Sequence, residues 1–220
     1  MLKIITGILL SIVIIFAFLL PPPQKELGEV SRIFYFHVPF AWVAVLAFFM
    51  SMINSILYLK NHYFGYDIKA ACASRLGFLF CFLALLSGSI FAKYSWGTFW
   101  NWDPRQTSVF ILILIYGAYF ALRSAIDNEK RRAVFASVYS ILAFCSVPFF
   151  VFVVPRVFQS LHPTDSIIDS SFRFQLPFKL LVLFLTSVLG FSFLFLWIYK
   201  LEVSLLKISF EKEKRSGYEL

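Results

Sequence analysis

Long apolar runs alternate with short polar connections along almost the whole chain of 220 residues. At a helical rise of about 1.5 Å per residue, six of these runs are long enough to cross a hydrocarbon core about 30 Å thick. They cover about residues 4–20, 39–59, 75–92, 107–122, 134–154 and 179–199. The pattern predicts an all-α, polytopic membrane protein with six transmembrane helices, in which residues 1–220 form one integral-membrane domain.

The composition agrees with this interpretation. Hydrophobic residues make up 60% of the chain and charged residues 15%, which leaves too little polar surface to cover a water-soluble globule. Aromatic residues make up 20%, and residence in a membrane explains only part of this excess. We therefore expect some of the aromatic residues to have a function in addition to membrane residence.

The first apolar run has two interpretations. Lys3 precedes it, as a basic residue precedes the apolar part of a secretory signal peptide. The run is long for such a peptide, however, and the PPPQ segment that follows has no small-residue cleavage pattern. We expect the chain to retain this run as a membrane anchor.

Lysine and arginine are distributed unevenly between the two sides of a six-span arrangement. One side carries 13 of them, namely Lys3, Lys60, Lys69, Arg75, Arg123, Lys130, Arg131, Arg132, Lys200, Lys207, Lys212, Lys214 and Arg215. The other side carries 7, namely Lys25, Arg32, Lys93, Arg105, Arg156, Arg173 and Lys179. Because cytoplasmic loops are enriched in Lys and Arg, both termini are predicted to be cytoplasmic. The net charge of +8 suits an anionic inner leaflet, so nucleic acid is not needed to explain it.

This orientation separates the three histidines of the chain. His62 falls in the predicted cytoplasmic loop after the second span, whereas His37 and His162 fall in the first and third external loops. The segment WGTFWNWDPRQTS, residues 96–108, forms the second external loop. Two imidazoles and three tryptophans are thus predicted to share one face of the membrane. A b-type electron-transfer cytochrome is disfavoured, because no histidine lies deep in a predicted span.

Ordinary structural roles also exist for these residues. Tryptophan is enriched at membrane interfaces, so a single tryptophan there is usually part of an aromatic belt. Asp103, Pro104 and Gln106 match the N-cap, N1 and N3 positions of a helix that starts the fourth span, so capping alone would account for Asp103. An isolated loop histidine is usually not a ligand. None of these explanations accounts for the clustering.

The clustering suggests an aromatic surface for a flat ligand. Trp96, Trp100 and Asp103 are spaced so that a short interfacial helix would align them in one stripe, with Trp102 and Trp42 nearby. Such a surface, approached by two imidazoles, suits iron porphyrin, because aromatic rings pack on the macrocycle and imidazole binds iron axially. Two external arginines are candidate partners for the haem propionates, namely Arg105 and Arg156.

Three segments together resemble the haem exporter protein C family of bacterial cytochrome c maturation, within the wider group of tryptophan-rich haem-handling membrane proteins. RIFYFHVPFAW at 32–42 resembles the first histidine segment of this family. WGTFWNWDPRQTS resembles its tryptophan-rich signature, and VPFFVFVVPRVFQSLHP at 147–163 resembles its second histidine segment. The number of spans and the order of the loops agree as well, so the resemblance covers essentially the whole chain.

The resemblance implies a multi-pass protein of the bacterial cytoplasmic (inner) membrane, with a haem site on its periplasmic side. His37 and His162 would bind the iron of a transient, non-covalent, b-type haem from its two sides. The haem platform would contain Trp96, Gly97, Trp100, Trp102 and Asp103. The implied partners are an extracytoplasmic haem chaperone that receives the haem, the membrane and ATPase subunits of an ABC transporter, and a small one-span accessory protein.

Two alternative functions stay open. The DPRQT segment resembles the haem lyase branch, whose motif often runs WDP, so a lyase that joins haem to apocytochrome c is the main alternative. The additional intramembrane histidine pair of that branch is missing from this sequence, which favours the exporter family. A solute-conducting transporter is less favoured, because Asn54, Ser87–Ser89 and Pro148 are almost the only polar or helix-breaking features inside the predicted spans.

The sequence contains no pattern typical of catalysis. No Ser or Cys nucleophile has a base placed beside it, and no phosphate-binding or metalloprotease motif occurs. Cys72, Cys81 and Cys145 are dispersed, so neither dithiol exchange nor covalent haem attachment is expected, and we interpret them as small buried apolar residues. The chain is predicted to bind and transfer haem, and no catalytic residue is assigned.

Overall fold

The structure, a computed structural model, describes residues 1–22, 28–162 and 176–216. Within these ranges the regular structure is helical. The helices are α1 (Leu2–Leu19), α2 (Phe34–Asn61), α3 (Phe64–Trp96), α4 (Pro104–Ser124), α5 (Glu129–Pro148), α6 (Val154–Val157) and α7 (Phe178–Ser216). A 3₁₀ turn at Glu29–Ile33 precedes α2, and a π-helical turn at Phe149–Val153 joins α5 to α6.

Six helical segments of the described residues are long and apolar enough to cross a membrane, which confirms the predicted number of spans. The segments extend beyond the predicted limits, because polar and charged residues continue each helix past its apolar part. One correction concerns the second and third spans, predicted at about 39–59 and 75–92. There α2 and α3 are separated only by His62 and Tyr63, so Lys69 and Arg75 lie on α3 and not in a loop.

The fifth span, predicted at about 134–154, is a composite of α5, the π-helical turn and α6. Pro148 ends α5 and Pro155 lies in α6. Because proline has no N–H to donate, the two prolines interrupt the regular ladder of helical hydrogen bonds on either side of the turn. The side chain of Arg156 bonds to this turn, since its Nη1 donates to the carbonyl of Phe152 at 2.8 Å.

Helix α2 lies at the centre of the bundle, packed against α3, α5 and α7, while α1 packs along α7. A buried serine, Ser51, joins three of these helices. Its hydroxyl donates to the carbonyl of Ala70 at 3.0 Å and lies 2.6 Å from the hydroxyl of Ser74 and 2.9 Å from that of Ser140. Small polar residues of this kind let transmembrane helices approach closely and bond to one another.

An ion pair joins α3 and α4 at the end of the bundle that carries His62. Nη1 and Nη2 of Arg123 donate to the two carboxylate oxygens of Asp67 at 2.6 and 2.9 Å. The Asp67 side chain is only 2% exposed, so the bidentate pairing compensates the cost of burying its charge.

The cysteine prediction is partly wrong. Cys72 and Cys81 are buried, as expected, but Cys145 is exposed on α5. A thiol is apolar enough to face lipid, so exposure on a membrane helix carries little cost. In the charge count, Lys25 and Arg173 lie outside the described residues.

Candidate functional site

His37 lies in α2 and not in the predicted external loop. The 3₁₀ turn at Glu29–Ile33 leads directly into α2, so the helix already includes His37 and continues through Pro39. Pro39 cannot donate to the carbonyl of Tyr35, four residues earlier. The buried hydroxyl of Ser187 on α7 donates to this carbonyl instead, which explains how the helix tolerates the proline.

The partly buried ring of His37 packs against α3. Its Nδ1 lies 3.1 Å from the carbonyl oxygen of Ala84 and 3.0 Å from the hydroxyl oxygen of Ser87. Gly88, which borders the ring, precedes Trp96 by two helical turns, about 12 Å along the axis. His37 is therefore deeper in the bundle than a loop position would be. His62, at the other end of α2, is exposed.

The tryptophan-rich segment is not helical, so the predicted stripe of Trp96, Trp100 and Asp103 on a short interfacial helix is wrong. Helix α3 ends at Trp96, and Gly97 caps it with a φ of 84°, a left-handed conformation that glycine adopts without steric cost. Trp102 also has a positive φ, 54°. These two positions turn the chain between α3 and α4.

The three tryptophans of the segment occupy different environments. The indole of Trp96 contacts the imidazole of His162 edge to face, with ring centroids 4.7 Å apart. Trp100 lies 5.5 Å from Trp102 and 5.7 Å from Phe110, also edge to face. Trp102 is 73% exposed. Trp96 thus packs against His162, whereas Trp100 and Trp102 form an outer aromatic surface.

Trp42 does not extend this aromatic surface in the way the sequence predicted. It lies on α2, and its indole nitrogen donates to the hydroxyl of Ser192 on α7 at 3.2 Å. Helix geometry explains the difference: Trp42 and His37 are five residues apart, so the two side chains point in different directions around α2.

Asp103 caps α4, as predicted, and also holds the segment that carries His162. Its Oδ1 accepts from the backbone N–H of Arg105 at 2.9 Å. Its Oδ2 accepts from the hydroxyl of Ser160 at 2.8 Å and from the N–H of Leu161 at 2.7 Å. Nδ1 of His162 lies 3.1 Å from Oδ1. The carboxylate is 0% exposed, so one buried group organises the start of α4 and the second histidine together.

Gln106 caps a different residue from the one the capping pattern predicted. Its side-chain oxygen accepts from the backbone N–H of Asn101 at 3.1 Å, and its side-chain nitrogen donates to the carbonyl of Phe99 at 3.3 Å. Gln106 therefore stabilises the turn before Asp103.

The environment of His162 favours a neutral imidazole with one free nitrogen. Burial is the largest influence and lowers the pKa of His162; the positive charge of Arg105 also lowers it, while Asp103 raises it, and the net shift is downward. A neutral imidazole beside a carboxylate carries its proton on Nδ1 and donates it to Asp103. Nε2 of His162 is then unprotonated and available to bind a metal.

The Asp103 carboxylate is ionised at neutral pH. Burial acts to raise the pKa of Asp103, but the hydrogen bonds from Ser160, Leu161 and Arg105, together with the charge interaction with His162, outweigh it and lower the pKa. An ionised carboxylate is the stronger acceptor for the N–H of His162 and makes its other nitrogen a more basic ligand.

Arg105 and Arg156 differ in their availability. The Nε atom of Arg105 is buried and has no hydrogen-bond partner among the described residues. The charge of Arg105 contributes to the lowered pKa of His162. Arg156 is exposed and donates to a backbone carbonyl. Of the two, Arg105 thus has the guanidinium nitrogen that the described residues leave without a partner.

Four contributors to the site could not be identified from the sequence. Ser160 binds Asp103, and the notch of α3 that consists of Ala84, Ser87 and Gly88 binds His37. The signal for Ser160 was its position two residues before His162. The run Ser87–Ser89 was recognised only as a polar feature of the third span. No three His, Cys, Asp or Glu side chains of the described chain converge as a bare metal site would require.

Comparison with known proteins supplies the context of this geometry. The family described as Heme exporter protein C matches residues 1–216. The Heme exporter protein C of Bradyrhizobium diazoefficiens is 32% identical over 180 residues, which cover 82% of this chain and 68% of the relative. The protein of the same name from Haemophilus influenzae is 28% identical over 203 residues, 90% of this chain and 82% of the relative. A ccmC-like mitochondrial protein of Arabidopsis thaliana, named for cytochrome c biosynthesis, is 32% identical over 189 residues, 86% and 70% of the two chains.

Proposed function

Because this chain belongs to the haem exporter protein C family, a family of haem handling in cytochrome c maturation, we propose that it binds haem between His37 and His162. It then passes the haem to an extracytoplasmic haem chaperone. The observation that carries the proposal is that two imidazoles, each with Nδ1 engaged by the protein, lie on the side of the bundle away from His62: His37 near the start of α2 and His162 beside Trp96 at the end of α3. Among the described residues neither Nε2 has a hydrogen-bond partner, so both are available for iron.

The surrounding residues suit a haem that is bound and then released. Trp96, Gly97, Trp100, Trp102 and Asp103 belong to the platform. The exposed ring of Trp102 offers apolar area to the macrocycle. The unpaired Nε of Arg105 is suited to a propionate, with the exposed Arg156 as a second partner. Haem binding of this kind is non-covalent and b-type, because the described cysteines lie within helices α3 and α5.

Purified protein tests the binding proposal directly. We expect the detergent-purified chain, produced without the haem chaperone, to carry sub-stoichiometric haem with a Soret band and a six-coordinate, low-spin spectrum, because both axial positions are filled by imidazole. Full extraction of this haem by acid and organic solvent would show that it is not covalent. A preparation with haem supplied and no Soret absorption would contradict the proposal.

The main alternative, a haem lyase, acts at a different step. An exporter is needed for the chaperone to acquire haem, whereas a lyase acts after the chaperone has been loaded. We therefore propose that deletion of this chain leaves the chaperone without haem. A normally loaded chaperone in the deletion strain, together with a failure to produce holocytochrome, would favour the lyase.

We further propose that the site faces the periplasm of a bacterial inner membrane and that both termini are cytoplasmic. The described part of the chain has six membrane-spanning helices, and the distribution of Lys and Arg supports this orientation. In this arrangement the membrane and ATPase subunits of an ABC transporter and a small one-span protein are the membrane partners, with lipid around the remaining helix faces.

Reporter fusions test the orientation. Alkaline phosphatase is active only outside the cytoplasm, so we expect low activity after Lys60, Asp127 and Leu220 and high activity after Gln24, Asn101 and Thr164. Gln24, Thr164 and Leu220 lie outside the described residues. Fluorescent-protein fusions at the same positions give the reciprocal signal. High phosphatase activity after Leu220 would place the C-terminus outside, and the periplasmic position of the site would then be wrong.

A further inference from the structure

The notch of α3 formed by Ala84, Ser87 and Gly88 contacts the imidazole of His37 at Nδ1 and at Cε1. The carbonyl of Ala84 and the hydroxyl of Ser87 contact Nδ1. Gly88 lies against the Cε1 edge of the ring, between the two nitrogens, where a Cβ at position 88 would be 2.8 Å from Cε1, 3.4 Å from Nδ1 and 3.6 Å from Nε2 of His37. The notch therefore constrains both the position of this ring and the nitrogen that carries its proton.

Gly88 has a steric role that its backbone conformation does not explain. It lies inside α3, about two turns before the C-terminal end, where glycine is a poor helix former. Any side chain there would overlap the imidazole, since real Cβ atoms do not approach a neighbour to 2.8 Å. Gly117 of α4 offers a contrast, because a Cβ at that position has nothing within 4 Å. The comparison shows that an added Cβ would meet a neighbouring side chain at position 88 but not at position 117.

The hydrogen bonds of the notch determine the tautomer of His37. The carbonyl of Ala84 can only accept, so Nδ1 must carry the proton. The hydroxyl of Ser87 donates to the carbonyl of Leu83 at 2.7 Å, which leaves its lone pairs for the same Nδ1–H. A neutral imidazole protonated on Nδ1 has its lone pair on Nε2. The notch thus selects the form of His37 that binds a metal through Nε2.

We propose that Gly88 and Ser87 are positioning residues for the His37 ligand, with Gly88 providing the space for the ring and Ser87, with the Ala84 carbonyl, holding its Nδ1 proton. This inference rests on the proposed haem function only for the identity of the metal. The presentation of Nε2 by the notch is a property of the protein without haem. A shift of the ring by about 1 Å would move Nε2 out of line with the iron, as loose support of ligands does in metal sites generally.

A double-mutant cycle tests the role of Gly88. We expect Gly88→Ala to weaken haem binding about 10-fold to 100-fold, as changes to the groups that orient a ligand do, and to shift the spectrum toward a five-coordinate form. Gly117→Ala, the matched control, should change neither. In a His37→Ala background, Gly88→Ala should have no further effect on the haem spectrum or affinity, because it acts through His37. Equal losses in both backgrounds would overturn the proposal.

Ser87→Ala tests the hydrogen bond without a steric change. It should keep the protein folded and six-coordinate, with a measurable shift in the haem reduction potential, because Nδ1–H loses one of its two acceptors. Ser89→Ala is the neighbouring control. No shift in Ser87→Ala relative to Ser89→Ala would contradict the role of Ser87.

The haem-free protein separates this inference from the proposed function. Nitrogen NMR of ¹⁵N-histidine protein has only three imidazoles to assign, which His→Ala variants identify. We expect His37 to be protonated on Nδ1 in the wild type, and its signals to change in Gly88→Ala but not in Gly117→Ala. If the wild type binds no haem but this NMR result holds, the proposed function fails while the positioning role stands. If haem binds and the His37 signals are those of an unrestrained imidazole, the positioning role fails alone.

Discussion

Replacing His162 with alanine is expected to convert the haem spectrum from six-coordinate and low-spin to five-coordinate, and to lower haem affinity by more than about 100-fold. That figure is the upper range for losing a group that only orients a metal ligand, and His162→Ala removes a ligand itself. His37→Ala should change the spectrum in the same way but lower the affinity less. The measurements are absorption and electron paramagnetic resonance spectra together with haem titration of the purified variants.

The difference between the two histidines follows from the groups that bind Nδ1. His162 donates to the ionised carboxylate of Asp103, which increases the basicity of Nε2, whereas His37 donates to the uncharged carbonyl of Ala84. His162 is thus expected to form the stronger bond to iron. Free imidazole should restore the six-coordinate spectrum more readily in His37→Ala, because the strong ligand is then still present.

Two control variants test whether the effects are specific to His37 and His162. His62→Ala removes an exposed histidine at the other end of α2 and should leave the spectrum and the affinity unchanged. Trp100→Ala removes packing area without removing a ligand, so binding should weaken while the remaining haem stays six-coordinate. An effect of His62→Ala as large as that of His37→Ala would show that the histidine pair is not the site. The same conclusion would follow if both His37 and His162 could be replaced without a spectral change.

Asp103→Ala is expected to cause the second large loss of haem affinity, because the Asp103 side chain both caps α4 and binds the segment that carries His162. Without the carboxylate, α4 loses its N-cap, which costs about 1 kcal/mol. Ser160, Leu161 and His162 lose their shared acceptor at the same time. We expect haem affinity to fall about 10-fold to 100-fold and the thermal midpoint to decrease. Haem titration and thermal unfolding in detergent measure the two effects.

Asn128→Ala separates the capping role from the site role. Asn128 caps α5 through a 3.0 Å bond from the N–H of Arg131, at an exposed position outside the proposed site. This variant should lower stability by a similar amount and leave the haem spectrum unchanged. Asp103→Asn adds a second comparison: an amide has one acceptor oxygen, whereas Oδ1 and Oδ2 of Asp103 are both engaged, so part of the loss should persist. Wild-type haem affinity in Asp103→Ala would refute the role of Asp103 in the site.

Several parts of the site were accessible from local sequence patterns. The N-cap of α4 was predicted from Asp103 and Pro104, because capping depends on neighbours within one helical turn. The opposite positions of His37 and His62 at the two ends of α2 followed from the length of the apolar run. The family resemblance was confirmed by the match over residues 1–216.

Other parts were predicted wrongly because they depend on contacts between distant segments. His37 was predicted in a loop, since the predicted span began at Pro39, but Ser187 of α7 binds the carbonyl that the proline leaves free. The stripe of Trp96 and Trp100 failed because the left-handed turn at Gly97 ends α3. Helical spacing on its own does not show where a helix stops.

The amino-acid sequence by itself determined the six membrane spans, the family and the identity of the candidate ligands, because hydrophobic length, capping and residue chemistry are local properties. Only the tertiary structure decided how these ligands are presented. The carboxylate that caps α4 also reaches His162, 59 residues away, and the notch of α3 receives His37 across 47 residues. Such pairings arise when helices pack, since packing alone brings one helix's glycine under another helix's imidazole and places a buried carboxylate beside its donor.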